Sequence, residues 1–179
     1  MKQNKMISKQ QPQVAMLCGM TGCGKTTFAI GLANELPAIC FSIDKWMIEL
    51  YGYHMDRKDF ESRMAIIKKL IWESVERLIA LNTNVILDYG FWLAKERIES
   101  ASKIENAGGI PVLYFFDVPL NILKQRLNIR NSQLLPGTFE ITVDMLEMFM
   151  TWFEHPTEDE GMKIVEVISN VETKNILTF

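Results

Sequence analysis

Residues 19–26 read GMTGCGKT, and they stand between the apolar run VAMLC at 14–18 and a helical pattern over 24–35. This junction constrains the fold more than any other segment. A buried strand must end, turn tightly and enter a helix, and three glycines in the turn (Gly19, Gly22, Gly24) open backbone conformations that other residues avoid. Turned inward, successive amide N–H groups form a concave site for an anion. The helix that follows presents its positive N-terminal end to the same place. Gly19, Gly24, Lys25 and Thr26 meet the pattern G-x-x-x-x-G-K-[ST] without departure. In that pattern the lysine ammonium reaches the β- and γ-phosphates and the hydroxyl ligates Mg²⁺. The segment therefore predicts a site for ATP with Mg²⁺, built from Gly19, Thr21, Gly22, Cys23, Gly24, Lys25, Thr26 and Thr27. In this reading Thr27 adds a hydrogen bond to the α-phosphate. Cys23 reads as a small residue at a permissive position rather than as a redox centre.

Short apolar runs alternate with longer helical patterns along the rest of the chain. Residues 14–18, 39–41, 85–87 and 112–116 have the composition of strands buried on both faces, and 164–168 reads as a last strand. Between them, Phe60, Met64, Ile67, Ile71, Val75 and Leu78 recur at steps of three and four, which predicts a helix over 57–80. Further helices are expected over 45–51, over 94–107 before Gly108-Gly109, and from Pro119 to about Arg130. Residues 131–139 (NSQLLPGTF) read as a loop, and 142–153 as a helix capped by Thr142. Alternating strands and helices imply crossover connections and a mostly parallel sheet with helices on both faces. The length of 179 residues suits one domain, expected over 13–179 after a polar lead-in at 1–12. In such sheets ligands bind beyond the carboxyl ends of the strands.

The residues that follow each strand are therefore the candidates for chemistry. Asp44 follows the second apolar run in FSID, where a carboxylate either caps the next helix or accepts the proton of an attacking hydroxyl. Beside a phosphate loop at the same sheet edge, the second reading is preferred. Asp88 ends VILD, an arrangement that places a carboxylate on Mg²⁺ directly or through water. Tyr89, Phe91 and Trp92 then follow either as core or as the wall of an acceptor pocket, with Trp92 taken as a contact to the substrate. Arg126 and Arg130 lie four apart on one helix, either on a solvated face or as lid arginines that stabilise the phosphoryl group in transfer. The stretch 51–63, with His54, Arg57 and Lys58, either covers the acceptor, Arg57 touching it, or links two helices. Residues 157–160 (TEDE) read as a surface turn.

Composition narrows the classes. Hydrophobic residues make up 48% and charged residues 23% of the chain, values of a folded globular protein. A net charge of −3 offers no global basic field for nucleic acid or an anionic membrane. The cysteines are Cys18, Cys23 and Cys40, odd in number and without a C-x-x-C pair, which fits a reducing cytoplasm and no disulfide framework. No apolar run approaches a membrane span, and the polar N-terminus lacks the core of a secretory signal. The two histidines, His54 and His155, belong to no cluster with zinc spacing.

Taken together, GMTGCGKT, the SID of 42–44, VILDYGFW, the FDVP of 116–119, QRLNIRN and FEHPTEDE resemble the P-loop kinase-like ATPases of the AAA family. That group includes the 5′-kinase domain of phage polynucleotide kinase, chloramphenicol phosphotransferase and the zeta toxins. The resemblance covers most of residues 13–169. It implies a three-layer α/β/α P-loop fold with a five-stranded sheet in the order 2-3-1-4-5 and a helical lid around 120–140. It also implies that Asp44 activates the acceptor, that Arg126 and Arg130 contact the transferring phosphates, and that the loop at Pro156-Thr157 lies near the adenine. The expected activity is transfer of the ATP γ-phosphate to a hydroxyl of a small molecule or nucleotide, with Lys25, Asp44, Arg126 and Arg130 catalytic and Thr26 and Asp88 holding the metal. Two alternatives stay open: a nucleotide switch that hydrolyses ATP without an acceptor, and a polynucleotide 5′-kinase. A GTPase switch lacks support, because no NKxD motif occurs.

Overall fold

The computed structural model describes residues 11–133 and 138–168. Five strands form one sheet: β1 (Gln13–Gly19), β2 (Ala38–Ser42), β3 (Asn84–Gly90), β4 (Ile110–Phe116) and β5 (Lys163–Glu166). Their order is β2-β3-β1-β4-β5, and every pairing is parallel. The expected order is therefore observed. β1 occupies the centre, with Met16 beside Leu87 of β3 and Leu113 of β4.

Strand periodicity explains the layers. Successive side chains point to opposite faces, so Val14, Met16 and Cys18 enter one apolar cluster while Ala15 and Leu17 enter the other. The first cluster is closed by α2 (Ile43–Tyr51), α3 (Arg57–Ala80) and α4 (Ala94–Asn106), through Met47, Ile67, Ile71, Val75 and Ile104. The second is closed by α1 (Lys25–Glu35), α5 (Leu120–Gln133) and α6 (Val143–Met150), through Ala29, Leu123, Leu127 and Leu146. Burying each such aliphatic side chain contributes about 1.5–3 kcal/mol. The sheet is thus covered by an apolar cluster on each face.

Several boundaries move from their expected places for local reasons. α2 starts at Ile43, directly after β2, with Ser42 at its N-cap and Asp44 inside the first turn. Asp44 is therefore not the capping residue. Asp56 caps α3 and accepts from the Asp59 amide at 2.8 Å. Thr142 caps α6 as expected, accepting from the Met145 amide at 3.2 Å. α6 ends at Met150, short of 153, and β5 ends at Glu166, short of 168. α5 continues to Gln133, so 131–133 are helix rather than loop, while 134–137 of the expected loop lie outside the described residues. No helix among the described residues is long and apolar enough to cross a membrane.

Candidate active site

The phosphate loop runs from the end of β1 into α1. Gly22 has φ of +80°, and a Cβ there would come within 3.1 Å of the Leu127 side chain on α5. Both the backbone conformation and this close approach require glycine, and the approach seats α5 against the loop. Lys25 folds back over its own turn, its Nζ donating to the carbonyls of Gly19 at 2.8 Å and Met20 at 2.9 Å. Cys23 is buried and its Sγ lies 3.5 Å from Lys25 Nζ, so it fills the underside of the loop. Alkylation of Cys23 thus makes a poor probe of nucleotide, because reagent has little access. Thr21 is partly exposed and Thr27 exposed in the loop and the first turn of α1.

Across the loop, Thr26 Oγ1 donates to Asp88 Oδ2 at 2.7 Å. A hydroxyl on α1 and a carboxylate at the end of β3 thereby meet, 62 residues apart in sequence. These are hard oxygen donors of the kind Mg²⁺ takes, and Mg²⁺ usually completes its octahedron with water and substrate phosphates rather than with a protein cage. The small donor set fits that habit. Among the described residues no group of three or more His, Cys, Asp or Glu forms a further metal site.

Asp44 stands one strand further out, where the first turn of α2 leaves it accessible to water. Loss of solvation, and next the charge of Asp88, raise its carboxyl above the ordinary range. Lys25 and Arg130 pull it the other way. These couplings place Asp44, Asp88, Lys25 and Arg130 within one electrostatic neighbourhood at the carboxyl ends of β1, β2 and β3. Burial, only partly offset by Asp44, lowers the Arg130 guanidinium. Its Nη2 donates to the Phe139 carbonyl at 3.1 Å, and its buried Nε has no partner among the described residues. Arg126 donates through Nη1 to the Cys23 carbonyl at 3.1 Å, so it lies on the phosphate loop itself.

The remaining anticipated residues have the following surroundings. Arg57 pairs with Glu61 at 2.8 Å and lies 5.4 Å from the ring centre of Trp152. Phe91 belongs to the core at 1% exposure, and Tyr89 stacks on it at 5.4 Å. Burial pushes the Tyr89 phenol upward, and its hydroxyl finds no partner among the described residues. Trp92 turns its indole N–H to the Gly19 carbonyl at 3.1 Å and packs its ring 5.0 Å from that of Phe149.

Two features escaped the reading of the sequence. Arg97 on α4 is completely buried and paired with Glu160, to which its Nε donates at 2.7 Å. Residues 157–160 are consequently not a plain surface turn: Thr157 and Glu160 form a capping box, and the Glu160 carboxylate faces inward. The signal was present. Arg97, Ala101 and Ile104 share one helical stripe, which points the arginine at the core. The second feature is an aromatic cluster, in which Phe139 meets Tyr53 at 6.5 Å and Phe60 at 5.7 Å. It links the stretch 51–63 to the backbone that receives Arg130, and no spacing rule announces it.

A family model described as an AAA domain matches residues 14–156. No curated protein matches the chain in sequence. Among solved structures, a candidate kinase from Chloroflexus aurantiacus j-10-fl superposes with a TM-score of 0.70 at 17% identity, over 88% of this chain and 85% of that one. A chain of the Pnkp1/Rnl/Hen1 RNA repair complex gives 0.65 at 25% identity, over 79% of this chain and 43% of that one. Kti12 from Chaetomium thermophilum, solved with ADP-AlF3, gives 0.63 at 16% identity, over 86% and 88%.

Proposed function

Taking as premise that the chain belongs to the AAA domain family, in its P-loop kinase-like form, we propose that it transfers the γ-phosphate of ATP to a hydroxyl group of a small molecule or nucleotide. The observation that carries this is the gathering of Lys25, Asp44, Asp88 and Arg130 into one charged neighbourhood. A passive binding module needs only the phosphate loop; a water-accessible carboxylate electrostatically coupled to Lys25 adds a group able to take a proton.

Each residue then has a task. Lys25 leaves the Gly19 and Met20 carbonyls and turns to the β- and γ-phosphates. Thr26 and Asp88 hold Mg²⁺, which supplies neutralisation of phosphate charge when bound. Asp44 orients the acceptor hydroxyl and takes its proton, and the upward displacement of its carboxyl strengthens it as a base. Arg126 and Arg130 offset the charge on the phosphoryl group in flight. Positioning and electrostatics supply the catalysis, as phosphoryl transfer requires.

The 25% identity to a chain of an RNA repair complex favours one second reading, in which the hydroxyl belongs to a polynucleotide end. That reading expects binding that weakens steeply with salt. The fate of labelled γ-phosphate tests the proposal. Incubation with pooled hydroxyl metabolites, nucleosides, antibiotics and oligonucleotide ends is expected to give a labelled acceptor. Label released only to water with every pool supports a hydrolysing switch instead.

A further inference from the structure

Gly19 is buried, and its carbonyl accepts two donors in a partly buried setting, Lys25 Nζ at 2.8 Å and Trp92 Nε1 at 3.1 Å. A carbonyl oxygen has two lone pairs, so both bonds are accommodated together. Much local structure holds the indole in that position. Gly90 takes φ of +96°, and a Cβ there would stand 2.9 Å from Trp92 Nε1. Phe91 follows in the left-handed region at φ of 45°, a strained setting for a bulky residue. The Phe91 carbonyl accepts from Arg97 Nη1 at 3.0 Å and from Cys18 Sγ at 3.3 Å. The Trp92 carbonyl accepts from the same Nη1 at 3.1 Å and from the Glu154 amide at 2.9 Å. Arg97 is in turn fixed by Glu160. Strain and a buried ion pair thus converge on the orientation of one indole.

We propose that Trp92 is a positioning residue for nucleotide binding, which keeps the Gly19 carbonyl satisfied when Lys25 departs for the phosphates. This rests on the reading that Lys25 engages nucleotide. Before nucleotide arrives, the carbonyl has two donors. Afterwards it has the indole alone. Without the indole N–H, withdrawal of Lys25 leaves a buried acceptor unpaired, and that desolvation cost is charged against binding. Trp92 acts through Gly19 and Lys25, and it touches no reacting atom.

Two replacements at position 92 remove the donor: Trp92→Phe, and benzothienylalanine, which keeps the fused-ring shape and lacks the N–H. Each is made with Lys25 intact and with Lys25→Met. Calorimetric titration with Mg-ATP and Mg-ADP is expected to show about tenfold weaker binding for both replacements with Lys25 intact, the size expected for one stranded buried acceptor. The rate at saturating nucleotide is expected to stay within about twofold, because the loss falls on binding. Without ligand, the replacements are expected to lower the melting midpoint more beside Lys25→Met than beside lysine, since only there does Gly19 lose both donors. Unchanged nucleotide affinity overturns the proposal. Equal falls in midpoint in both backgrounds also overturn it, since they assign the indole a purely structural part. If the unaltered protein binds neither nucleotide, the nucleotide reading itself fails and takes the proposal with it. The wild-type titration separates that case from a failure specific to Trp92. Should Trp92→Phe fail to fold, the isosteric replacement supplies the same comparison.

Discussion

Asp44 shows how a site residue sets stability against function. Loss of solvation and the charge of Asp88 raise its carboxyl despite Lys25 and Arg130. The folded protein therefore holds that proton more tightly than the unfolded chain does. For a group displaced in this direction, the stabilising contribution is full at low pH and is lost as pH rises through the raised value. Once ionised, the carboxylate weakens the fold. Asp44→Asn is accordingly expected to raise the melting midpoint at pH 7, with the gain shrinking as pH is lowered and the wild-type carboxylate takes up its proton. Scanning calorimetry without nucleotide, from pH 7 down through the carboxylate range, measures this. A midpoint lowered at pH 7 would contradict the cause assigned to the shift. The activity of the wild type is expected to fall on acidification at a pH above the usual aspartate range. Opposite effects of this kind on stability and turnover would mark a carboxylate kept for chemistry, as the proposed function requires.

At the scale of elements, the junction between β3 and α4 depends on the buried pair of Arg97 and Glu160. Arg97 Nη1 also donates to the Glu154 carbonyl at 2.9 Å, and Glu154 accepts from the Ala94 amide. The pair therefore binds the start of α4 to the segment before β5. Arg97→Met leaves the buried Glu160 charge without its cationic partner, holding only the Thr157 amide, and is expected to destabilise the fold by about 3–5 kcal/mol. A double change to Arg97→Met with Glu160→Met is expected to recover part of that loss. Urea titration of the single and double variants checks both statements; a single variant as stable as wild type would refute the assignment. These residues also mark the limits of reading from sequence. Periodicity located α3 through Phe60, Met64, Ile67, Ile71, Val75 and Leu78, of which Ile67, Ile71 and Val75 are buried. It did not find the Arg97–Glu160 pair, because two charged residues 63 apart read as surface until the fold brings them inward. The extension of α5 to Gln133 and the early start of α2 escaped for a related reason. Helix ends are fixed by tertiary contact as much as by local propensity.

For the whole molecule, the sheet order carries the functional logic. Placing β1 between β3 and β4 and β2 outside β3 brings Lys25 and Asp44, which follow β1 and β2, to the carboxyl-end side of the sheet where Asp88 lies near the end of β3. Each was legible as a strand-end residue, because short apolar runs followed by a polar residue survive translation into a buried parallel sheet. Their convergence was legible only through the expected strand order. Trp92 shows the opposite case: its position in the chain was plain, but its donor's direction depends on Gly90 and Phe91 and on Arg97. The central claim is that this convergence performs transfer to an acceptor at Asp44. One paired measurement tests it most directly: nucleotide affinity and acceptor phosphorylation for Asp44→Asn beside the wild type. The variant is expected to bind Mg-ATP as the wild type does, while phosphorylation of the acceptor falls by at least about 10²-fold, the range of general-base catalysis. Full phosphorylation by Asp44→Asn, with nucleotide affinity unchanged, would contradict the account.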